Sequence, residues 1–372
     1  MEFKILHIVG ARPNFMKMAP VAAALEAEGA VRQIIVHTGQ HYDEAMSAVF
    51  FRQLSIPDPD YNLGVGPGTH AQQTAGIMLK LEPLVRDLAP DMVLVYGDVN
   101  STIAGALVCA KLGVPVAHVE AGLRSFDRTM PEELNRLLTD QLADLLFTPS
   151  PDANENLARE GIAPEKIHLV GNVMIDTLVR LLPLAGEKAP HQALGILPGT
   201  GYILATLHRP KNVDDPGSLL RIMEALADIA KDCPVIFPVH PRTRKCLEET
   251  GAHRAVPGIV LADPMGYLEF LSLQAGALVV VTDSGGIQEE TTYLRVPCCT
   301  VRENTERPIT VENGTNVLVG ADMEKLKKHV KLALSGKGKK GSIPHLWDGR
   351  AASRIADILL RYAASGKKQG GG

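Results

Sequence analysis

The 372-residue chain predicts an α/β fold of two doubly wound parallel sheets, each with its own core. Three observations lead there. Short apolar strands alternate with helices of ten or more residues, which is the pattern of parallel strands joined by crossover helices. The pattern runs to about residue 172 and restarts after the Pro/Gly-rich stretch 190–201. At 45% hydrophobic, a chain of this length can bury two cores.

In order, Phe3–Val9 reads as an apolar strand, followed by the turn Gly10-Ala11-Arg12-Pro13 and a helix to residue 30. A second strand spans 33–38, and a long helix spans 72–88. The strand 91–96 closes on Gly97-Asp98, followed by a helix over 101–112 and a strand over 115–119. Further strands are expected at 145–149 and 167–170, the latter ending at Gly171-Asn172. The second half repeats the design. Its strand 202–206 ends at His208-Arg209-Pro210, its helix spans 219–231, and the strand 235–239 ends at His240-Pro241. Strands at 259–261, 278–281 and 298–301 complete it. The expected domains are 1–172 and 173–350, with the helix Ala351–Ala364 returning to the first domain. Residues 336–341 and 366–372 are glycine-rich and basic, and are expected to be flexible.

Composition excludes several classes. A net charge of -4 and a pI near 6.3 argue against nucleic acid or an anionic membrane as the main partner. No apolar run approaches the roughly 20 residues of a membrane helix, and the start Met1-Glu2-Phe3-Lys4 leaves no room for a signal peptide. A soluble, cytoplasmic protein is expected. The five cysteines (Cys109, Cys233, Cys246, Cys298, Cys299) show no metal-binding spacing, and Cys298 and Cys299 read as packing thiols. No metal is implied.

The richest motif follows the strand at 278–281. Thr282-Asp283-Ser284-Gly285-Gly286-Ile287-Gln288-Glu289-Glu290 is a turn opening a helix. Ser284 is a candidate N-cap, and Gly285 and Gly286 let backbone N–H groups approach a pyrophosphate at the positive helix end. Glu290, a turn and a half on, could accept hydrogen bonds from ribose hydroxyls. A glycine turn alone is often mere architecture. Yet Arg12, Asp98, Glu120, His208, His240 and Ser284 all fall at strand ends, where open parallel sheets bind ligands. Polar strand ends serve solvation too; six of six carrying ionisable or hydroxyl groups favours two half-sites facing across a cleft. There is no GxGxxG after the first strand and no GxxxxGK[ST], and Gly64-Val65-Gly66-Pro67-Gly68 reads as a loop. No cofactor is implied. The chemistry falls to side chains acting on a nucleotide-linked substrate.

The first half carries Gly10-Ala11-Arg12-Pro13-Asn14-Phe15-Met16-Lys17-Met18-Ala19-Pro20, Thr38-Gly39-Gln40-His41, Tyr96-Gly97-Asp98 and His118-Val119-Glu120-Ala121-Gly122-Leu123-Arg124. Pro131-Glu132-Glu133-Leu134-Asn135-Arg136, Thr206-Leu207-His208-Arg209, the Ser-Gly-Gly-Ile-Gln-Glu-Glu segment and Thr305-Glu306-Arg307-Pro308 follow in order. In these motifs the chain resembles the non-hydrolysing UDP-N-acetylglucosamine 2-epimerases. The resemblance implies a GT-B-like fold of two Rossmann-like domains. It also implies interconversion of UDP-N-acetylglucosamine and UDP-N-acetylmannosamine, a homodimer, and a place in cell-envelope polysaccharide biosynthesis.

The implied route is elimination of UDP to a glycal, then readdition with carbon 2 inverted. This is chemically sensible, because the carbon 2 proton is too weakly acidic for simple abstraction, whereas negative charge departing on a diphosphate is easily stabilised. Such a route needs an anion clamp, carboxylates near carbons 2 and 3, and a site that retains the intermediate. The resemblance assigns the carboxylates to Asp98, Glu120 and Glu132, and the clamp to Arg12, Lys17, Arg307 and the Ser284-Gly285-Gly286 turn. His208 matches the catalytic histidine, expected to stabilise or protonate the leaving diphosphate. His240 and Arg136 match residues lining the same site, and Phe270 an aromatic that packs on uracil; each reads equally as structure. Glu133 is expected to pair with Arg136 or cap the helix after Pro131.

The chain also departs from the pattern. Asn14-Phe15-Met16 replaces the usual Glu-Ala-Ile, and Tyr42-Asp43 replaces a basic-acidic-methionine run. Those regions hold an allosteric UDP-N-acetylglucosamine site in many bacterial members, for which Gln40, His41 and Gln73 are the candidates here. Allosteric control therefore stays open, as does a modified sugar substrate such as a UDP-diacetamido-uronic acid. The same residues would also suit a hydrolysing epimerase, and the fold a GT-B glycosyltransferase or a non-catalytic sugar-nucleotide sensor.

Overall fold

The computed structural model describes residues 2–29, 31–40, 58–197, 199–251 and 258–366. They form two compact units, Met1–Thr177 with His345–Gly372, and Leu178–Pro344. The first runs β1 (Phe3–Val9), α1 (Arg12–Glu28), β2 (Val31–His37), β3 (Tyr61–Asn62), α2 (His70–Leu88), β4 (Met92–Tyr96) and α3 (Asn100–Lys111). It continues through β5 (Val116–Val119), α4 (Pro131–Leu142), β6 (Leu145–Thr148), α5 (Pro151–Arg159) and β7 (Ile167–Leu169). The helix α6 (Val173–Gly186) carries the chain from one unit into the other. The second unit holds α7 (Pro190–Ala193), β8 (Ile203–Thr206), α8 (Pro210–Val213), α9 (Pro216–Ala230), β9 (Val235–Pro238), α10 (Pro241–Thr250) and β10 (Ile259–Ala262). It ends with α11 (Tyr267–Gly276), β11 (Val279–Thr282), α12 (Gly285–Leu294), β12 (Cys298–Thr300), α13 (Pro308–Glu312), β13 (Asn316–Leu318) and α14 (Met323–Leu334). The last helix, α15 (Ala351–Ala364), belongs to the first unit.

Both sheets are wholly parallel. The seven-stranded sheet has the order β3-β2-β1-β4-β5-β6-β7, and the six-stranded sheet β10-β9-β8-β11-β12-β13. Each order is that of a dinucleotide-type Rossmann sheet, reversing between its first and fourth strands. The physical cause is two-sided burial. In the second unit, Ile203, Ala205, Val235, Phe237, Val279 and Val281 fill one core, while Leu204, Ile236 and Val280 fill another on the opposite face. Alternate residues of one strand thus face different helix layers, so the strand must be apolar throughout. Helix starts are set largely by proline, which stands at the first position of α4, α5, α8, α9, α10 and α13, where its missing N–H costs nothing. Among the described residues, no helix is long and apolar enough to cross a membrane.

The expected flexibility of 336–341 is corrected. Lys339 Nζ donates to the carbonyls of Val311 and Asn316, the latter at 3.0 Å, and the Ser342 N–H donates to Asn313 O at 2.8 Å. Three carbonyl-bound contacts fix the segment beside β13. Residues 367–372 lie outside the described residues.

The closing segment is docked by specific contacts. Trp347, 2% exposed, donates its indole N–H to Pro149 O at 2.9 Å. Asp176 caps α15 by accepting from Ala351 N at 3.1 Å and Ala352 N at 2.6 Å. Burial pushes the Asp176 carboxyl up to about 6, against the lowering effect of those two N–H groups. The helix itself packs on α1.

Two outcomes follow. Trp347→Ala should cost about 3–5 kcal/mol in denaturant unfolding and speed amide exchange in α15. For Asp176, the folded pKa exceeds the unfolded one. Its contribution is therefore complete below about pH 4 and lost as pH rises through about 6. Relative to Asp176→Asn, the unfolding free energy of the wild type should fall by about 3 kcal/mol across that window; a constant difference would refute the assignment.

Candidate functional site

In the first unit the candidate carboxylates stand at the ends of β4 and β5. Tyr96 ends β4, and the chain turns at Gly97 (φ +62°) into Asp98. Glu120 follows β5 with φ +75°, a left-handed backbone that is strained for a residue with a side chain. Phe147 O accepts both Glu120 N (3.1 Å) and Ala121 N (3.0 Å) and holds that conformation in place. The Glu120 carboxylate meets Lys17 Nζ of α1 at 2.7 Å, with both side chains buried. The φ of +62° at Gly97 favours glycine, and a Cβ there would stand 2.6 Å from Lys17 Nζ, so a side chain would push on this pair. Lys17 is thus committed to Glu120.

Asp98 is held by Arg136, whose NH1 lies 2.5 Å from Asp98 Oδ2. Arg136 is buried and also pairs with Glu133 at 3.0 Å, one helical turn back along α4. Glu133 further accepts from Ser125 N, Ser125 Oγ and Phe126 N, each at 2.9 Å. It is the brace that sets the loop before α4. Glu132, its neighbour, is half-buried, and Arg12 opens α1 with its side chain exposed. Asn14 ties this corner together. Its carbonyl oxygen accepts from Gly10 N and Ala11 N, while its amide donates to Tyr96 O at 2.7 Å.

Beneath the two carboxylates lies His118. Its Nε2 donates to Gly97 O at 2.8 Å, and its Nδ1 meets Asp140 Oδ1 at 2.6 Å. Asp140 also takes Arg124 NH2 at 2.7 Å and Gly122 N at 3.1 Å. Burial would raise the Asp140 carboxyl, but the bonds and charges of His118 and Arg124 bring it below the usual range.

The allosteric candidates are buried and engaged. Gln40 Oε1 accepts from Ser101 N (3.0 Å) and Ser101 Oγ (2.7 Å). Gln73 donates to Gly66 O at 3.1 Å and accepts from Asn100 Nδ2 at 2.9 Å. His41 lies outside the described residues.

In the second unit, His208 follows β8 and Ser284 follows β11, the neighbouring strand. The His208 ring is partly exposed, and its Nδ1 lies 2.9 Å from Asp283 Oδ1. Asp283 is fully buried, and also accepts from the N–H groups of His208 and Arg209 and from Asn212 Nδ2. Burial opposes its ionisation, yet His208 and these donors carry its pKa below the usual range. Ser284 occupies the N-cap position of α12, but its hydroxyl does not cap the helix, contrary to the expected side-chain bond. Around Gly286 a Cβ would meet nothing within 4 Å, whereas at Gly285 it would stand 2.5 Å from Arg307 NH1. Gly285 therefore serves packing, and Gly286 leaves the helix start open.

Arg307 Nε lies 2.9 Å from Glu289, and its NH1 contacts Glu306, which also pairs with Arg302 at 2.6 Å. Glu290, 4% exposed, accepts from the Tyr267 hydroxyl at 2.7 Å. His240 caps α10 by accepting from Arg242 N. Desolvation, then the charges of His208 and Arg242, lower its pKa. Phe270 packs against the cluster of Ile196, Tyr202 and Leu204.

Sequence reasoning missed His118, Asp140, Asp283, Glu289 and Glu306 as parts of these half-sites. Asp283 carried a readable signal, because it is the first residue after β11. The others are partners of named residues, and pairing across distant segments leaves no local pattern.

A sequence profile described as UDP-N-acetylglucosamine 2-epimerase matches residues 23–360. The UDP-N-acetylglucosamine 2-epimerase of Methanocaldococcus jannaschii is 44% identical over 363 residues, covering 96% of this chain and 98% of that protein. The UDP-2,3-diacetamido-2,3-dideoxy-D-glucuronate 2-epimerase of Pseudomonas aeruginosa is 45% identical over 361 residues, covering 96% and 99%. The crystal structure of the M. jannaschii enzyme in complex with UDP-GlcNAc and UDP superposes with a TM-score of 0.88 at 44% identity, covering 96% of this chain and 100% of that one. With two all-parallel Rossmann-like sheets and these structural neighbours, the fold is GT-B-like. The chain belongs to the UDP-N-acetylglucosamine 2-epimerase family.

Proposed function

We propose that this enzyme interconverts UDP-N-acetylglucosamine and UDP-N-acetylmannosamine, by anti-elimination of UDP and readdition with inversion at carbon 2. The observation that supports this most directly is the pair Asp98 and Glu120, at adjacent strand ends, each fixed by a buried cation. Elimination needs carboxylates whose positions do not relax as charge moves, and a buried cation partner supplies that rigidity. Asp98, Glu120 and Glu132 act on the sugar. The start of α12, with Ser284, Gly285, Gly286 and Arg307, serves the diphosphate, since backbone N–H groups at a helix start favour an anion there; Arg12, at the start of α1, is a further candidate for anion binding. His208 serves the leaving oxygen, and Glu290 the ribose. Arg136 and Lys17 act through the carboxylates they hold. Phe270 and His240 contribute to the uridine side, and Gln40 and Gln73 to a regulatory site. The working form is a cytoplasmic homodimer.

A second substrate has a specific basis, since the P. aeruginosa relative is named for a UDP-diacetamido-glucuronate and is as similar as the M. jannaschii enzyme. Parallel turnover of the two sugars decides between them.

Incubation with UDP-N-acetylglucosamine alone in deuterated water should give UDP-N-acetylmannosamine carrying deuterium at carbon 2, read by proton NMR. Free N-acetylmannosamine in place of the nucleotide sugar would mean hydrolysis, and absence of exchange would refute epimerisation. Asp98→Asn should slow turnover about 10²- to 10⁴-fold, the range for loss of a general acid or base. UDP affinity should stay near wild type; a parallel loss would place Asp98 with the diphosphate instead.

A further inference from the structure

We infer that Asp283 is a positioning residue that fixes the His208 ring with Nδ1 protonated and Nε2 presented beside the open start of α12. The inference rests on the function proposed above for its catalytic consequence, and on geometry alone for the ring's tautomer.

Asp283 is the last residue before the Ser284 turn, and it reaches from β11 to the loop after the adjacent β8. All its described partners are donors or donor-capable: His208 N at 3.1 Å, Arg209 N at 3.0 Å, Asn212 Nδ2 at 3.0 Å and His208 Nδ1 at 2.9 Å. A buried carboxylate only accepts, so the ring nitrogen facing it must carry the proton. Nε2 is then the nitrogen presented elsewhere, on a ring side chain that is 45% exposed. Arg209 Nε donates back to Asp283 O at 3.0 Å, which locks the two loops together. The charged groups around this pair are Arg209, which bonds Asp283, and His240, whose pKa desolvation and then the His208 charge lower; Glu306 lies 3.8 Å from Arg209.

The consequence for the reaction balances. As the bond from carbon 1 to the diphosphate oxygen breaks, its electron pair goes to that oxygen. The Nε2 proton of the imidazolium passes to the same oxygen, while the proton from carbon 2 passes to a carboxylate. The neutral ring keeps its Nδ1 proton toward Asp283. Readdition runs these transfers in reverse.

The test uses the whole enzyme. Nitrogen-15 NMR of the wild type, without substrate and above the pH at which His208 loses its first proton, should show His208 protonated at Nδ1. A ring protonated at Nε2 overturns the inference, whether or not the enzyme epimerises. Asp283→Asn keeps an acceptor for the loop N–H groups but presents an amide donor to the ring. It should move the proton to Nε2 and lower kcat about 10²- to 10⁴-fold with KM and UDP affinity within about twofold. In a His208→Asn background, Asp283→Asn should add no further loss. A similar loss in that background, or an unchanged kcat with a flipped tautomer, shows a purely structural carboxylate and refutes the positioning role. Failure of the epimerisation reading would appear separately, as a wild type that turns over no UDP-sugar.

Discussion

Each sheet has one place where successive crossovers leave toward opposite faces, and the candidate chemistry is arranged around the need to close that gap. In the first unit the reversal lies between β1 and β4, and in the second between β8 and β11. A crevice opens there because no helix covers both strand ends. The two gaps are bridged with different chemistry, and the groups being joined decide which. Between β1 and β4 the bridge must accept from the N–H groups of Gly10 and Ala11 and donate to the Tyr96 carbonyl. The Asn14 amide does both, at a position where the family commonly has Glu, and Thr102 Oγ1 donates to the same Tyr96 carbonyl at 2.7 Å. A carboxylate could not donate to Tyr96 O. Between β8 and β11 the described partners can all donate, and Asp283 is the acceptor-only group that suits them.

Much of the fold was legible because two-sided burial writes itself into the chain as short apolar runs. Phe3–Val9 appears at its observed bounds, and most later strands lie within a residue or two of those read from the sequence. Two short edge strands were not. β3 (Tyr61–Asn62) and β13 (Asn316–Leu318) are edges, too short and too exposed or polar to carry an apolar signature. Amphipathic helices such as α5 and α14, rich in charge, also went unread. The site followed the same logic. Strand-end position picked out Asp98, Glu120, His208 and Ser284, whereas the partners that hold them come from distant segments. Arg136 is 38 residues from Asp98, and Lys17 is 103 from Glu120. Gly336 to Gly341 misled because composition alone reads as freedom, while Lys339 is fixed by carbonyls of β13 and its approach.

The distribution of ion pairs separates frame from reactive surface. Pairs such as Arg86 with Glu82, both more than half exposed, are worth about 0.3–0.5 kcal/mol and place nothing. Buried pairs are different in kind, since removing one partner strands a desolvated charge at a cost of about 3–5 kcal/mol. Lys17 with Glu120, Arg136 with Glu133 and Arg124 with Asp140 are all of this buried type. His118 joins the last of them to the Gly97 turn, which leads into Asp98.

The second unit divides the work otherwise. Its arginines Arg302 and Arg307 are matched by Glu289 and Glu306, which leaves little net positive side-chain charge at the start of α12. Attraction for an anion there must come mainly from backbone N–H groups, which cannot move away or change protonation. Under the proposed role, that suits a leaving group that has to be held without being trapped, because a fixed dipole would bind a diphosphate more weakly than uncompensated guanidinium groups would. The titratable member, His208, is accordingly the group left partly exposed, while the carboxylate that orients it is fully buried. A ring that must exchange protons needs access to its partner atom, and the group that fixes its orientation needs to be shielded from water.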